Sequence, residues 1–208
     1  MRDSLSAFTM RALAQEVGLS VKTLYNLYGG GKEAIAAVLE DRAFSTLEEE
    51  LTALPEDQDP IEQVLTIMTV AAEKCIARKA LIHPMWAGDK DRPLGSPSRP
   101  LEFMEFGAGL AETALIRALE QGALAARFDP HILASQLTVG WFGTAILWAR
   151  GALSDADFVT RVEHTGLCNL LAYADDDTAR RFRDQISALE TKMAPLPKET
   201  GADQKVSV

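Results

Sequence analysis

The sequence predicts an all-α protein, and three observations carry that prediction. Apolar residues recur at i, i+3, i+4 and i+7 in successive segments, which places them on one face of a helix. No alternation of apolar and polar residues persists long enough to make a strand. Breaker clusters fall between the periodic segments, notably from Pro55 to Pro60 and from Gly88 to Pro100. At 208 residues the chain is long enough to bury a substantial core, in one large or two small domains.

The first two elements are short. Met10, Leu13, Ala14 and Val17 form one apolar face, with Thr9 placed to cap the helix and Gly18 to end it, followed by Leu19 as a buried contact. Ser20 is placed to cap the next helix, where Val21, Leu24, Tyr25 and Tyr28 face inward and Lys22, Thr23 and Asn26 face out. Two short helices joined by so short a turn read as a helix-turn-helix. A lysine, a hydroxyl and an amide on one exposed face suit base edges and phosphates in the major groove of DNA.

Longer amphipathic helices follow. One is expected from about Glu33 to Leu51, and the next runs from Ile61 to about Lys79 with Val64, Leu65, Met68, Ala71, Ala72 and Cys75 on its apolar stripe. After the polar loop of residues 88–100, helix is expected from Leu101 to about Leu124, with Phe103, Phe106, Gly107, Leu110 and Ala114 along one face. Between His131 and Arg150 one stripe holds Leu133, Leu137, Gly140, Trp141, Thr144 and Trp148, and a second holds Ile132, Val139, Phe142 and Ile146. The segment from Asp155 to Ala174 carries Phe158, Val159, Val162, Gly166, Leu167, Leu170 and Leu171. Helices apolar on nearly all sides must be buried on both, and one chain covers one side only. A homodimer is therefore expected, with Leu137, Trp148, Val162, Gly166 and Leu170 as interface candidates; the other arrangement is a monomer with a well-filled core. The tail from Ala194 has too little apolar surface to pack and is expected to be disordered.

The residues Leu13-Ala14, Gly18-Leu19-Ser20, Thr23-Leu24-Tyr25 and Lys32-Glu33 resemble the DNA-binding signature of the TetR family of bacterial regulators. The resemblance covers the first quarter of the chain. It implies an N-terminal helix-turn-helix head (residues 1–45), a larger helical effector-binding and dimerisation domain (46–193) and a tail (194–208). It places Ser20, Lys22, Thr23 and Asn26 on the recognition helix, Tyr25 and Lys32 on DNA phosphates, and Thr9 at the cap of the preceding helix on the DNA backbone. It also implies a homodimer joined through its last two long helices, reading two half-sites of a near-palindromic double-stranded operator roughly 34 to 36 Å apart. Three features depart from the family. Only eight residues precede Thr9, where members carry a whole further helix, so a start placed too far downstream or a truncation is expected. Gly29-Gly30-Gly31 adds one residue before Lys32, and Leu27 stands where relatives often have a polar or aromatic group. Tyr28 stands where the family usually has Phe.

A small-molecule effector would enter the helical body. Met68, Met85, Trp86, Phe103, Phe106, Leu110, Trp141 and Phe142 are the candidate lining, a set suited to an apolar or aromatic ligand; the same residues also read as plain core. His83 and Arg78 are the polar groups nearest that set in sequence. The net charge of -9 is unevenly placed: through Lys32 the chain carries +2 and the remainder -11. An acidic body behind a basic head would turn DNA away from every face but one. His83, His131 and His164 show no metal-ligand spacing, no phosphate-binding glycine loop is present, and no catalytic residue, metal or cofactor is expected. Cys75 and Cys168 read as isolated buried thiols. No apolar run approaches the roughly 18 residues of a membrane span, and no secretory signal opens the chain, so a cytoplasmic location without membrane contact is expected. The functional expectation is a sequence-specific transcriptional regulator, a repressor released by its ligand. The alternative is a dimeric ligand-binding or interaction protein with an impaired head.

Overall fold

The computed structural model describes residues 10–29, 31–55, 57–87, 99–124 and 128–196. Its helices are α1 (Met10–Glu16), α2 (Val21–Leu27), α3 (Gly31–Thr52), α4 (Pro60–Ala77), α5 (Lys79–Ala87), α6 (Arg99–Glu120), α7 (Pro130–Ala149), α8 (Asp155–Leu171) and α9 (Asp176–Glu190), with no strand among the described residues. Local chemistry sets their ends. At the end of α1, Gly18 adopts φ +67°. There the Gly18 N–H donates to the Gln15 carbonyl (3.4 Å) and the Leu19 N–H to the Ala14 carbonyl (2.9 Å), which satisfies carbonyls that the helix leaves open. Two Asp-Pro pairs start helices. Asp59 Oδ1 accepts from Ile61 (2.9 Å) and Glu62 (3.1 Å) at α4, and Asp129 Oδ1 from His131 (2.9 Å) and Ile132 (3.3 Å) at α7, with the proline in the first turn needing no partner for a missing N–H.

Two hydrophobic clusters form, and α3 belongs to both. The smaller gathers Met10, Ala14, Leu24 and Ile35, with Leu13, Tyr28 and Leu39 against it. The larger begins at Ala43 and Phe44 and runs through α4 to α9. Within it α4 packs on α6 and α8, α7 packs on both of these, α9 closes over α8, and α5 sits against α3 and α7.

Several expectations need correction. Helices α5 and α9 were not anticipated; α6 begins at Arg99, inside the segment read as loop, and residues 88–98 lie outside those described. Residues 194–196 are described, exposed and without helix or strand, whereas 197–208 of the expected tail lie outside the described residues. The smaller cluster is thinner than the spacing suggested, because Val17 (49 % exposed), Leu19 (42 %) and Val21 (36 %) remain open. Cys75 is buried but Cys168 is exposed. Helix α7 has 20 residues without Asp, Glu, Lys or Arg, long and apolar enough to cross a membrane, so the reading that no run approaches that length is corrected. One stripe of α7 is nevertheless core: Leu133, Leu137, Trp141 and Trp148 are buried against neighbouring helices.

The proposed interface residues are core as well. Leu137, Trp148, Val162, Gly166 and Leu170 are all buried within the single chain and have no face to offer a partner. Gly166 does permit a close approach, but to α4: a Cβ there would stand 2.7 Å from Leu65 Cδ2 and 3.2 Å from Met68 Sδ. What α7 leaves open is a face with half of the second stripe, Ile132 (57 % exposed) and Val139 (56 %), together with Leu147 (37 %), Gln136 and Gly143, whereas Phe142 of that stripe packs against the core and Ile146 is half-buried.

Replacing Gly166 by Val forces α8 away from α4. The expected cost is about 1–3 kcal/mol, several degrees of Tm for a chain of this size; a cooperative melt followed by circular dichroism with unchanged Tm would contradict the packing described.

Candidate functional site

Helix α2 owes its start to Ser20, whose Oγ accepts from the Thr23 N–H at 3.0 Å and lies 2.7 Å from Thr23 Oγ1. The two hydroxyls share one hydrogen bond, which leaves one O–H of the pair for an outside acceptor. Leu24 anchors the helix inward at 3 % exposure. On the opposite side Lys22, Tyr25 and Asn26, at i, i+3 and i+4, are exposed together. Tyr25 therefore corrects the inward placement: its side is 51 % exposed, and its ring edge lies 3.0 Å from where a Cβ on Gly31 would stand. The Gly31 turn thus seats the phenol, and any other residue at Gly31 would press on it. The open aliphatic groups Val21 and Leu27 (64 % exposed) flank this face. Thr9 and the Lys32 side chain fall outside the described residues.

Helix α3 contributes to both clusters and so joins the helix-turn-helix to the rest of the described residues. Its 22 residues span about 33 Å at 1.5 Å per residue, from Ile35 in the small cluster to Leu51 in the large one. Arg99, the first residue of α6, grips α3 from outside. Its guanidinium lies 3.2 Å from Asp41 Oδ1 through Nε and 3.2 Å from Glu48 Oε1 through Nη2. It also donates to Glu102 (2.8 Å) and stands 6.0 Å over the Phe44 ring. The hydrogen bond to Glu102, with Glu48 beyond it, holds the guanidinium pKa above its ordinary value.

An apolar cavity of about 40 Å³ opens between α3, α4, α6 and α7. Leu51 closes one side, Ile67, Met68 and Ala71 come from α4, Phe103, Met104, Gly107 and Ala111 from α6, and Leu137, Thr138 and Trp141 from α7. Of the eight residues expected here, Met68, Phe103 and Trp141 line it. Leu110 lines a neighbouring cavity of about 110 Å³, together with Gln63, Thr113 and Arg117. Trp86 and Phe142 sit behind the wall: Trp86 meets Trp141 edge-on at 5.3 Å and Phe142 at 5.8 Å. Phe106 packs on the core without lining either cavity, and the Met85 side chain lies outside the described residues. His83 lies on the far side of this aromatic group, 4.3 Å from Trp148; burial, then the Lys79 charge, lowers its pKa. Reasoning from the sequence missed Gly107, Ala111 and Ala71, whose small side chains create the space, and Leu51, which links it to α3.

Searches by sequence find no matching family model and no curated relative. Solved structures do resemble it. SmeT, the repressor of the Stenotrophomonas maltophilia multidrug efflux pump SmeDEF, superposes with a TM-score of 0.59 at 17% identity, over 84% of this chain and 84% of its own. TylP, a TetR regulator from Streptomyces fradiae, gives 0.57 at 20% identity, over 90% of this chain and 88% of its own. Thermus thermophilus FadR, a TetR family transcriptional repressor in complex with lauroyl-CoA, gives 0.53 at 23% identity, over 82% and 89%. The fold is the TetR fold. Within the TetR fold this chain keeps the helix-turn-helix, the long connecting α3 and the helical body, at sequence identities that carry the architecture and no more.

Replacing Arg99 by Met removes a charge-assisted group at the α3–α6 contact worth about 1–2 kcal/mol. Tm is expected to fall by a few degrees in dilute buffer, and the gap from the native protein to narrow at high salt as Asp41 and Glu48 are screened. Equal melting of the two proteins in dilute buffer would show that Arg99 does not hold α3.

Proposed function

We propose that this chain is a sequence-specific DNA-binding transcriptional regulator, a homodimeric repressor released when a small apolar or aromatic molecule enters the α3–α4–α6–α7 cavity. The observation that carries the reading is the placement of α3. One end packs with the helix-turn-helix that presents Lys22, Tyr25 and Asn26, and the other supplies Leu51 to the cavity wall. A ligand that displaces Leu51 acts on the helix that positions the head. Release of DNA then requires only that the ligand favour the arrangement in which the heads no longer match the operator. The repressors SmeT and FadR, which share the fold, support this reading, as do structures of SmeT with triclosan and FadR with lauroyl-CoA. The division is a head of residues 1–45 and a body of 46–193, with Ala43 and Phe44 already in the core of the body.

The partner for dimerisation is a second copy meeting the open stripe Ile132, Val139 and Leu147 of α7. Apolar side chains of this size on one face favour burial, at roughly 25 cal/mol per Å² removed from water. Val139→Asp is expected to raise the dimer dissociation constant on the order of 100-fold or more by burying an unpaired carboxylate. Light scattering after size exclusion would then report a monomer; an unchanged dimer of the variant would place the interface elsewhere.

The decisive experiment is a fluorescence-anisotropy titration of the protein against its own upstream intergenic DNA and a scrambled duplex, at one stated salt concentration. A preference for the native fragment is expected. Lys32→Ala and Tyr25→Ala should weaken binding to all DNA, the lysine change lowering the salt slope by about one. Thr23→Ala and Asn26→Ala should instead cost on the order of tenfold on the native fragment alone. Equal losses on both duplexes for all four variants would sink the division of roles. A second reading rests on the open aliphatic groups of the head, Val17, Leu19, Val21 and Leu27: a dimeric ligand-binding or interaction protein whose head does not hold DNA. A folded dimer that binds neither duplex is its signature.

A further inference from the structure

The apolar cavity has a polar continuation. Leu51 and Ile67 line both it and the second cavity, so these two aliphatic side chains are the partition between them. The walls run on without a break. Along α6 the lining passes from Phe103 through Gly107 to Thr113 and Arg117, and along α4 it passes the other way, from Ala71 through Ile67 to Gln63. From Phe103 to Arg117 is about 21 Å at 1.5 Å per residue. The joined space is long and narrow.

Its two ends differ in chemistry. At the far end Arg117 donates to Gln63 Oε1 (2.8 Å) and, more weakly, to the Gln58 carbonyl (3.4 Å). Both acceptors are neutral, and among the described residues no carboxylate lies within ion-pair distance of Arg117, whereas Arg78 is held by Glu50 and Arg99 by Glu48. Accepting from Arg117 with its oxygen fixes the Gln63 amide so that its NH₂ group is free to donate. A guanidinium with N–H groups to spare beside a donor amide is a receptor for an anion, and for a planar carboxylate above all.

We propose that the effector is an amphipathic acid, with one carboxylate on Arg117 and Gln63 and a slender apolar body running past Leu51 and Ile67 to Phe103 and Trp141. The inference deepens, and rests on, the reading of the apolar cavity as the effector site. Neither cavity alone approaches the roughly 300–1,000 Å³ of a site for a drug-sized ligand. A thin tail that parts Leu51 from Ile67 joins the two, and by moving Leu51 it acts on α3 directly.

The test uses the full chain and three probes with one tail and different heads: decanoate, decanol and decylamine. Binding is followed by tryptophan fluorescence, to which Trp141 contributes from the cavity wall. Decanoate is expected to bind about tenfold or more tighter than decanol, with decylamine weakest, as a charge-assisted hydrogen bond allows. Arg117→Gln should abolish that preference, lowering decanoate affinity far more than decanol affinity, and Arg117→Lys should keep part of it. Equal binding of decanoate and decanol to the native protein, or a preference that survives Arg117→Gln, overturns the carboxylate site and leaves the apolar cavity standing. Binding of none of the three to a protein that melts cooperatively overturns both.

Discussion

Four helices meet at one indole. Trp141 on α7 lies 6.0 Å from Phe103 of α6, 5.3 Å from Trp86 of α5 and 5.8 Å from Phe158 of α8, and its Nε1–H donates to the Met68 carbonyl of α4 at 2.9 Å. Aromatic pairs at these separations contribute beyond their buried area, and the hydrogen bond satisfies the one polar group an indole takes into a core. The Met68 carbonyl has a second lone pair for this, so α4 loses nothing by accepting. Around that point large rings and small residues alternate. Gly166 lets α8 close on α4, while Gly107, Ala111 and Ala71 leave the space that Trp141 overlooks. The cavity is thus a consequence of how the core is tied, since the aromatic ring that fixes four helices also forms its wall.

On the proposed reading, helix α3 carries that local arrangement to the head. It lines the apolar cavity with Leu51, near its C-terminal end, and meets the head cluster with Ile35 and Leu39, in its first half. Between them lie the contacts of Arg99 with Asp41, Ser45 and Glu48, on three successive turns. A helix held at a midpoint and pushed at one end pivots, and a rigid helix some 33 Å long converts a small displacement at Leu51 into one of similar size at Ile35. Packed interiors transmit such displacements because they compress little. Arg99 therefore belongs to the same device as Leu51, although one is a surface ion pair and the other a core contact.

What the sequence made legible and what it hid follow from this. The helix-turn-helix was readable because capping and glycine chemistry act over a few residues, so Gly18 and Ser20 mark their own roles. Helix α5 was hidden by Pro84, which argues against a helix locally although the fold tolerates it there. Helix α9 has a stripe in Ala179, Phe182, Ile186 and Leu189, but its many charges mask that stripe and the helix was not anticipated. The two apolar stripes of α7 were visible as a pair, yet nothing local says which one turns inward. The structure buries the stripe with the two tryptophans and leaves Ile132 and Val139 outside, because the larger rings remove more apolar surface from water. The cavity was hardest to read. Aromatics such as Trp86 and Phe142 announce a core, whereas a void is announced by glycine and alanine, which carry no signal of their own.

The small size of the cavity is itself an argument about switching. A ligand that fitted the closed space would bind both arrangements alike and shift nothing, however tightly it bound. A space of about 40 Å³, with Leu51 and Ile67 between it and its neighbour, is too small for a substantial ligand unless those side chains move, so on the proposed reading affinity falls mainly to the arrangement in which they have moved. Turning a two-state equilibrium from 1:99 to 99:1 needs about 5.5 kcal/mol of differential affinity. In a dimer that switches as a unit, half of that falls to each protomer. At about 0.8 kcal/mol per buried CH₂, three or four methylene groups taken up only in the opened state supply it. On the proposed reading a modest apolar tail is enough to work the switch, and a head group at Arg117 would decide which tail is accepted.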